Sequence, residues 1–151
     1  MIRLALFQPD IAGNVGAVLR TAACLGVAVD LIEPMGFAWD DKRVRRAVMD
    51  YFDHVQVTRH ADWDAFLATV GQSRLVVMAA RGSVPVADAG FRPDDIILMG
   101  SESAGAPAFV HERADLRVRI PIRPGLRSLN LSVAAAIAAA EALRQTGTSP
   151  G

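Results

Sequence analysis

Residues 96–107 read IILMGSESAGAP. Four apolar residues, Ile96–Met99, run unbroken into Gly100. A short continuous apolar run bounded by turn residues is what a strand buried on both faces requires, as in a parallel sheet covered by helices. Leu75–Ala79 has the same form. Working outward, Ile2–Phe7, Ala28–Ile32, Val55–Val57 and Leu116–Ile120 read as further strands. Between them lie helical stretches. Gly16–Leu25 puts Val18, Leu19, Ala22 and Ala23 on one face, and Gly26 ends it. Asp41–Asp50 is a charged helix, Asp62–Thr69 a helix with Asp62 as its N-cap, and Ser128–Gln145 a long alanine-rich one. Pro34 and Gly36 mark a loop. The alternation predicts an α/β fold with a mostly parallel sheet flanked by helices.

The chain of 151 residues is 52% apolar, so one domain over 1–151 with a sizeable core is expected. Cys24, the single cysteine, sits in the apolar run TAACLGVAV and reads as a small core residue in a reducing compartment. Met1–Phe7 lacks the basic start and long apolar stretch of a secretory leader. No apolar run reaches the ~18 residues of a membrane span. A cytoplasmic location without membrane contact is therefore expected. The 16 basic and 16 acidic groups cancel, but unevenly along the chain. Lys42, Arg43, Arg45 and Arg46 cluster after Asp40 and Asp41, and Arg117, Arg119, Arg123 and Arg127 share a stretch with no acid. Either cluster is equally a solvated face or a nucleic-acid contact.

In parallel α/β sheets ligands gather beyond the carboxyl ends of strands. Three loops there carry unusual residues: Ala80–Pro85, Gly100–Pro107 and Pro121–Asn130. A further segment, QPDIAGNVGAVLR at residues 8–20, opens a helix at Asn14 and Gly16 and carries Arg20. Free amides at a helix start suit phosphate, and a guanidinium adds a fork of donors. An Asn cap and a surface arginine would explain the same residues. In IILMGSESAGAP, Gly100 permits close backbone approach to a ligand. Glu102 could accept hydrogen bonds from that ligand or cap the following helix. In residues 119–145, RIPIRPGLRSLNLSVAAAIAAAEALRQ, Pro121 and Pro124 stiffen the approach and Gly125 allows a turn. Ser128, Asn130 and Ser132 crowd the start of the alanine-rich helix, although one cap needs one such residue. The alanines suit core packing or a dimer interface.

Other chemistries find little support. His54, His60 and His111 lack metal-ligand spacing with Cys24 or each other, and read as solvated loop histidines; no metal is expected. No Walker, G-x-S-x-G or dinucleotide pattern occurs. Trp39 and Trp63 are too separate for a stacking platform, and Trp39 reads as a packing residue.

Taken together, residues 8–20, 96–107 and 119–145 resemble the three motifs of the SPOUT RNA methyltransferases, most closely the TrmL (YibK) subfamily. The stretch IEPMGFAWDDKRVRRAVMDY, residues 32–51, is similar to that subfamily too. The resemblance covers residues 2–145. It implies an α/β-knot with a deep C-terminal trefoil, a homodimer, and a donor pocket for S-adenosylmethionine. By that resemblance the pocket uses Met78, Ala79, Gly100, Glu102, Ile120, Pro121, Ser128, Leu129 and Asn130. It further implies tRNA as partner, with Asn14, Arg20 and Arg127 toward the substrate and Arg20 as the catalytic arginine. The reaction implied is methylation of the ribose 2′-oxygen of the wobble nucleotide.

Because arginine stays protonated in nearly all proteins, Arg20 is expected to act as a hydrogen-bond donor to phosphate and developing alkoxide rather than as a base. Two positions depart from the subfamily: Ala104 and Ala140 stand where arginine and tyrosine are usual. The alternatives are 2′-O-methylation at another tRNA or rRNA site, a non-catalytic S-adenosylmethionine- or RNA-binding module, and a generic nucleotide-binding domain.

Overall fold

A computed structural model describes residues 1–81 and 84–151; Gly82 and Ser83, in the first of the three loops, lie outside the described residues. The strands are β1 (Arg3–Phe7), β2 (Ala28–Ile32), β3 (Val57–His60), β4 (Leu75–Met78), β5 (Val84–Pro85), β6 (Ile96–Met99) and β7 (Leu116–Arg119). They form one sheet in the order β3-β2-β1-β6-β4-β7-β5. Every pairing between them is parallel; β1, for example, aligns Leu4 with Val29 of β2 and with Ile97 of β6. The helices are α1 (Ala12–Leu25), α2 (Asp41–Val48), α3 (Trp63–Val70), α4 (Ala108–Arg113) and α5 (Leu131–Thr146), with 3-10 turns at Met49–His54 and Val86–Asp88.

Side chains alternate across a strand, and here both faces are covered. Leu4, Leu6, Val29, Leu31, Ile97 and Met99 join Val15, Val18 and Leu19 of α1 and Ala135, Ala138, Ala139 and Ala142 of α5. The intervening positions, Ala5, Phe7, Ile32, Leu75, Val77, Ile96 and Leu98, pack with Phe66, Val70 and Val110. This is why β4 and β6 are apolar at every position. Each fully buried leucine contributes roughly 2 kcal/mol. The buried alanines of α5 let it approach α1 closely, so core packing accounts for that face of the helix.

Several boundaries differ from the sequence reading. α1 starts at Ala12, not Gly16, and Asn14 lies inside its first turn rather than before it. α5 starts at Leu131, so Ser128 belongs to the preceding loop. The third strand is Val57–His60, shifted along from Val55–Val57. β5 and α4 are too short for periodicity to reveal. Cys24 is exposed, not buried, because it sits opposite the face of α1 formed by Val15, Val18, Leu19 and Ala22. His60 is buried, not solvated: Asp30, itself fully buried, lies 2.7 Å from its Nε2 and also accepts two nitrogens of Arg3. A paired partner is what allows such polar groups to sit inside. His111 is half-buried on α4. Trp39 packs against the first core cluster as expected.

Candidate functional site

Past the carboxyl ends of β4, β6 and β7 lies a cavity of about 980 Å³. Its wall takes Met78 and Ala79 from the end of β4, Gly100 and Glu102 from the loop after β6, and Ile120, Arg127, Ser128, Leu129 and Asn130 from the loop after β7. Asn14 closes it from α1. Two expected residues lie outside this wall: Pro121, flanked by wall residues Ile120 and Ile122, and Arg20. Arg20 is exposed on α1 with its guanidinium 4.7 Å from the centre of the Tyr51 ring. Arg20 lies six residues beyond Asn14, about 9 Å along the axis and on a different face. The sequence reading missed Ile122, Leu126, Ala134 and His111, which also line the cavity. The first two sit within the third loop and could have been found there.

The loop after β6 is shaped by close backbone packing. Ser101 and Gly105 exchange backbone hydrogen bonds at 3.3 and 2.9 Å, with Gly105 at φ 66°. A Cβ on Gly100 would stand 2.3 Å from the Ala106 amide nitrogen. Only glycine fits there. The tight turn presents Glu102 to α1. Its carboxylate accepts from the amides of Asp10 (3.1 Å) and Ile11 (2.7 Å) and from the Asn14 side chain (3.3 Å). Glu102 therefore holds the entry to α1, a helix whose own N-cap, Ile11, has no capping side chain. It does not cap the helix that follows it. A carboxylate also complements the positive end of α1.

Asn14 then reaches the third loop, accepting from the Asn130 side-chain amide at 3.1 Å. Asn130 caps α5, its oxygen accepting from the amides of Ser132 (2.8 Å) and Val133 (3.4 Å). Ser132 adds its hydroxyl to the same oxygen at 2.6 Å. A second tie runs between the first two segments: Asp10 accepts from the amide and the hydroxyl of Ser103. The Ser103 hydroxyl first, then its amide, hold the Asp10 carboxyl below its ordinary range. Segments far apart in sequence are thus hydrogen-bonded into one rim. Among the described residues no cluster of three or more metal-ligating side chains occurs.

Comparison with known proteins gives this geometry a context. The model of the SpoU rRNA Methylase family matches residues 1–140. A protein from Beijerinckia indica, a tRNA (cytidine(34)-2′-O)-methyltransferase, is 54% identical over 146 residues, 95% of this chain and 91% of the relative. The Escherichia coli K12 protein of the same description is 40% identical, covering 97% of this chain and 95% of its own. A solved structure concerned with 2′-OH methylation of C/U34 on tRNA superposes with a TM-score of 0.90. It is 42% identical and covers 96% of this chain and 95% of its own. An AdoMet-bound rRNA methyltransferase from Sinorhizobium meliloti superposes with a TM-score of 0.85 at 27% identity, over 95% of this chain and 56% of its own. Family match, sequence identity and parallel-sheet architecture agree, and the chain belongs to the SpoU rRNA Methylase family.

Proposed function

We propose that this protein transfers a methyl group from S-adenosylmethionine to the ribose 2′-oxygen of the wobble nucleotide, position 34, of tRNA. The observation that carries the chemistry is the convergence of the loops after β4, β6 and β7 on one cavity beside the start of α1. The choice of nucleotide rests on the close relatives, which are tRNA (cytidine(34)-2′-O)-methyltransferases.

The residues present fit the donor. At about 980 Å³ the cavity is of the size that takes a cofactor. Met78, Ile120, Leu129, Leu131 and Ala134 offer apolar wall for a purine, and Ser128 and Asn130 offer polar groups beside it. Met78, Ala79, Gly100, Ile120, Ser128 and Leu129 would hold the donor, with Glu102 and Asn130 setting the walls through the bonds described above. When bound, S-adenosylmethionine supplies an electrophilic methyl group and needs no metal.

The protein's part is to align the 2′-hydroxyl and to favour loss of its proton. Arg20 donates to the neighbouring phosphate and to the developing alkoxide, while the proton leaves to a phosphate oxygen or water. Asn14 and Arg127 border the same space on the substrate side. Positioning supplies much of the rate.

The same proposal includes a homodimer. Arg20 lies outside its own chain's cavity, and in this reading each copy brings its Arg20 to the site of the other. Exposed Ile11 and Leu126 lie on the cavity rim and exposed Val133 and Ile137 on α5, ready to be covered. The whole chain acts as one domain, knotted as its family resemblance implies. Its last helix is tied back by Gln145 to the carbonyls of Val86 and Ala87. A tRNA substrate goes with a cytoplasmic location, and no helix among the described residues is long and apolar enough to cross a membrane.

The test is transfer of labelled methyl from S-adenosylmethionine to total tRNA from a strain lacking the protein, followed by nucleoside mapping. Label on the ribose of nucleotide 34 is expected. Label at another nucleotide would keep the chemistry and discard the position. No label, with donor binding intact, would favour a non-catalytic binding module.

A further inference from the structure

α2 carries the chain's densest run of positive charge, and its geometry separates the groups that are used internally from those that are not. At 100° per residue, Val44 and Val48 point to one side of the helix. Val48 is buried and Val44 half-buried against the α1 side of the core. Lys42, Arg43 and Arg46 fall within an arc of about 100° centred opposite that side. All three are exposed.

The nearby acids are largely engaged. Asp40 caps α2, accepting from the amides of Lys42 and Arg43 at 3.0 and 3.3 Å. Asp41 accepts the Trp39 indole N–H at 2.6 Å, and Asp53 pairs with Arg45 at 3.2 Å. Lys42, Arg43 and Arg46 make no ion pair among the described residues. The ridge therefore presents local positive charge on a chain whose formal charges cancel overall.

Its position matters as much as its charge. A Cβ on Gly16 of α1 would stand 4.0 Å from the Val48 side chain. Gly16 and Arg20 are one helical turn apart on the same face of α1. Tyr51, three residues past Val48, lies under the Arg20 guanidinium itself. The C-terminal end of α2 thus abuts the arginine assigned to the substrate, and the ridge from Arg46 to Lys42 runs back along the helix to about 9 Å from Val48.

We propose that Lys42, Arg43 and Arg46 form a phosphate track that receives the sugar–phosphate backbone of the RNA substrate and leads it to Arg20. This rests on the function proposed above and names the surface that docks its substrate. Contacts of this kind position the backbone without reading bases, and they make binding salt-dependent. They act equally on bound substrate and transition state, so they appear in KM rather than kcat.

The experiment compares the wild type with Lys42→Gln/Arg43→Gln/Arg46→Gln and with a control that removes three arginines elsewhere, Arg92→Gln/Arg113→Gln/Arg144→Gln. tRNA binding is measured from low to moderate salt, with methyl-transfer kinetics and donor affinity alongside. For the ridge variant the expected result is a KM for tRNA raised at least about fivefold, with kcat and donor affinity unchanged. Its slope of log affinity against log salt should fall by about two. The control should show neither change. An unchanged KM in the ridge variant, or an equal rise in the control, would overturn the track while leaving the methyltransferase reading in place. A wild type inert on every tRNA would overturn both.

Discussion

The side-chain oxygen of Asn14 accepts a hydrogen bond at 3.1 Å from the side-chain amide of Asn130, which lies 116 residues further along the chain. Asn14 donates in turn to Glu102. One short side chain in the first turn of α1 thereby joins the loops after β6 and β7, which form two walls of the cavity. The wall positions are set by contacts among the loops themselves.

Asn130→Ser separates the two tasks of Asn130. Serine caps a helix about as well as asparagine, so stability should stay within about 0.5 kcal/mol of wild type. It cannot reach Asn14, and loss of one hydrogen bond of about 1 kcal/mol should weaken donor binding roughly fivefold. Titration calorimetry with S-adenosylmethionine and chemical denaturation read the two effects. Equal donor affinity in variant and wild type would show that the tie does not shape the pocket.

Gly100→Ala places a methyl group 2.3 Å from one backbone atom and 2.4 Å from another. Neither is the flexible end of a side chain, so the turn must open. A cost of about 1–3 kcal/mol is expected, with loss of donor binding as Glu102 withdraws from the amides of Asp10 and Ile11. A variant that melts with the wild type and binds donor normally would contradict this.

Arg20→Lys keeps the charge and loses the fork. Because Arg20 is not part of the cavity wall, donor affinity should be unchanged, while kcat falls about 100-fold. Full activity in the lysine variant would rule out a two-pronged role. Tyr51→Ala should lower kcat as well, since the ring beneath the guanidinium restrains it; Tyr51→Phe should not.

The Asp10–Ser103 contact has a pH signature. Its hydrogen bonds lower the folded-state pKa of Asp10 beneath the ordinary 3.8. A carboxyl lowered on folding adds stability above its unfolded pKa, and that stability is lost as pH falls through the folded value. Ser103→Ala should move the Asp10 carboxyl resonance midpoint up toward 3.8. Its deficit in melting temperature at neutral pH should shrink once the pH drops below that value. A deficit that persists undiminished in acid would assign the effect to something other than this carboxylate.

Much of the fold was legible before any coordinates. Ala28–Ile32 and Ile96–Met99 appear as strands at the residues expected, because complete burial leaves mostly apolar runs, unbroken in Ile96–Met99 and broken only by Asp30 in Ala28–Ile32. Asp62 and Gly26 end their helices as local chemistry demands. The start of α1 was misplaced for an equally physical reason. Its stabilising carboxylate, Glu102, comes from a loop some ninety residues away, so no local signal exists. His60 is a similar case: alone it reads as a solvated loop residue, and only its pairing with Asp30 at 2.7 Å makes burial tolerable.

For the site, glycines, prolines and short polar side chains marked the loops where a backbone must approach a ligand, while the individual wall residues were named through the family resemblance that the three motifs carry. The sequence by itself determined the α/β class, the burial of the central strands and the three ligand-facing loops, because these follow from periodicity and local turn chemistry. Only the tertiary structure decided that Glu102 clamps a helix and that Asn14 bridges two loops. It alone placed Arg20 outside the cavity of its own chain. Those facts depend on which distant segments meet in space, and hydrogen bonds between such segments leave no periodic trace along the chain.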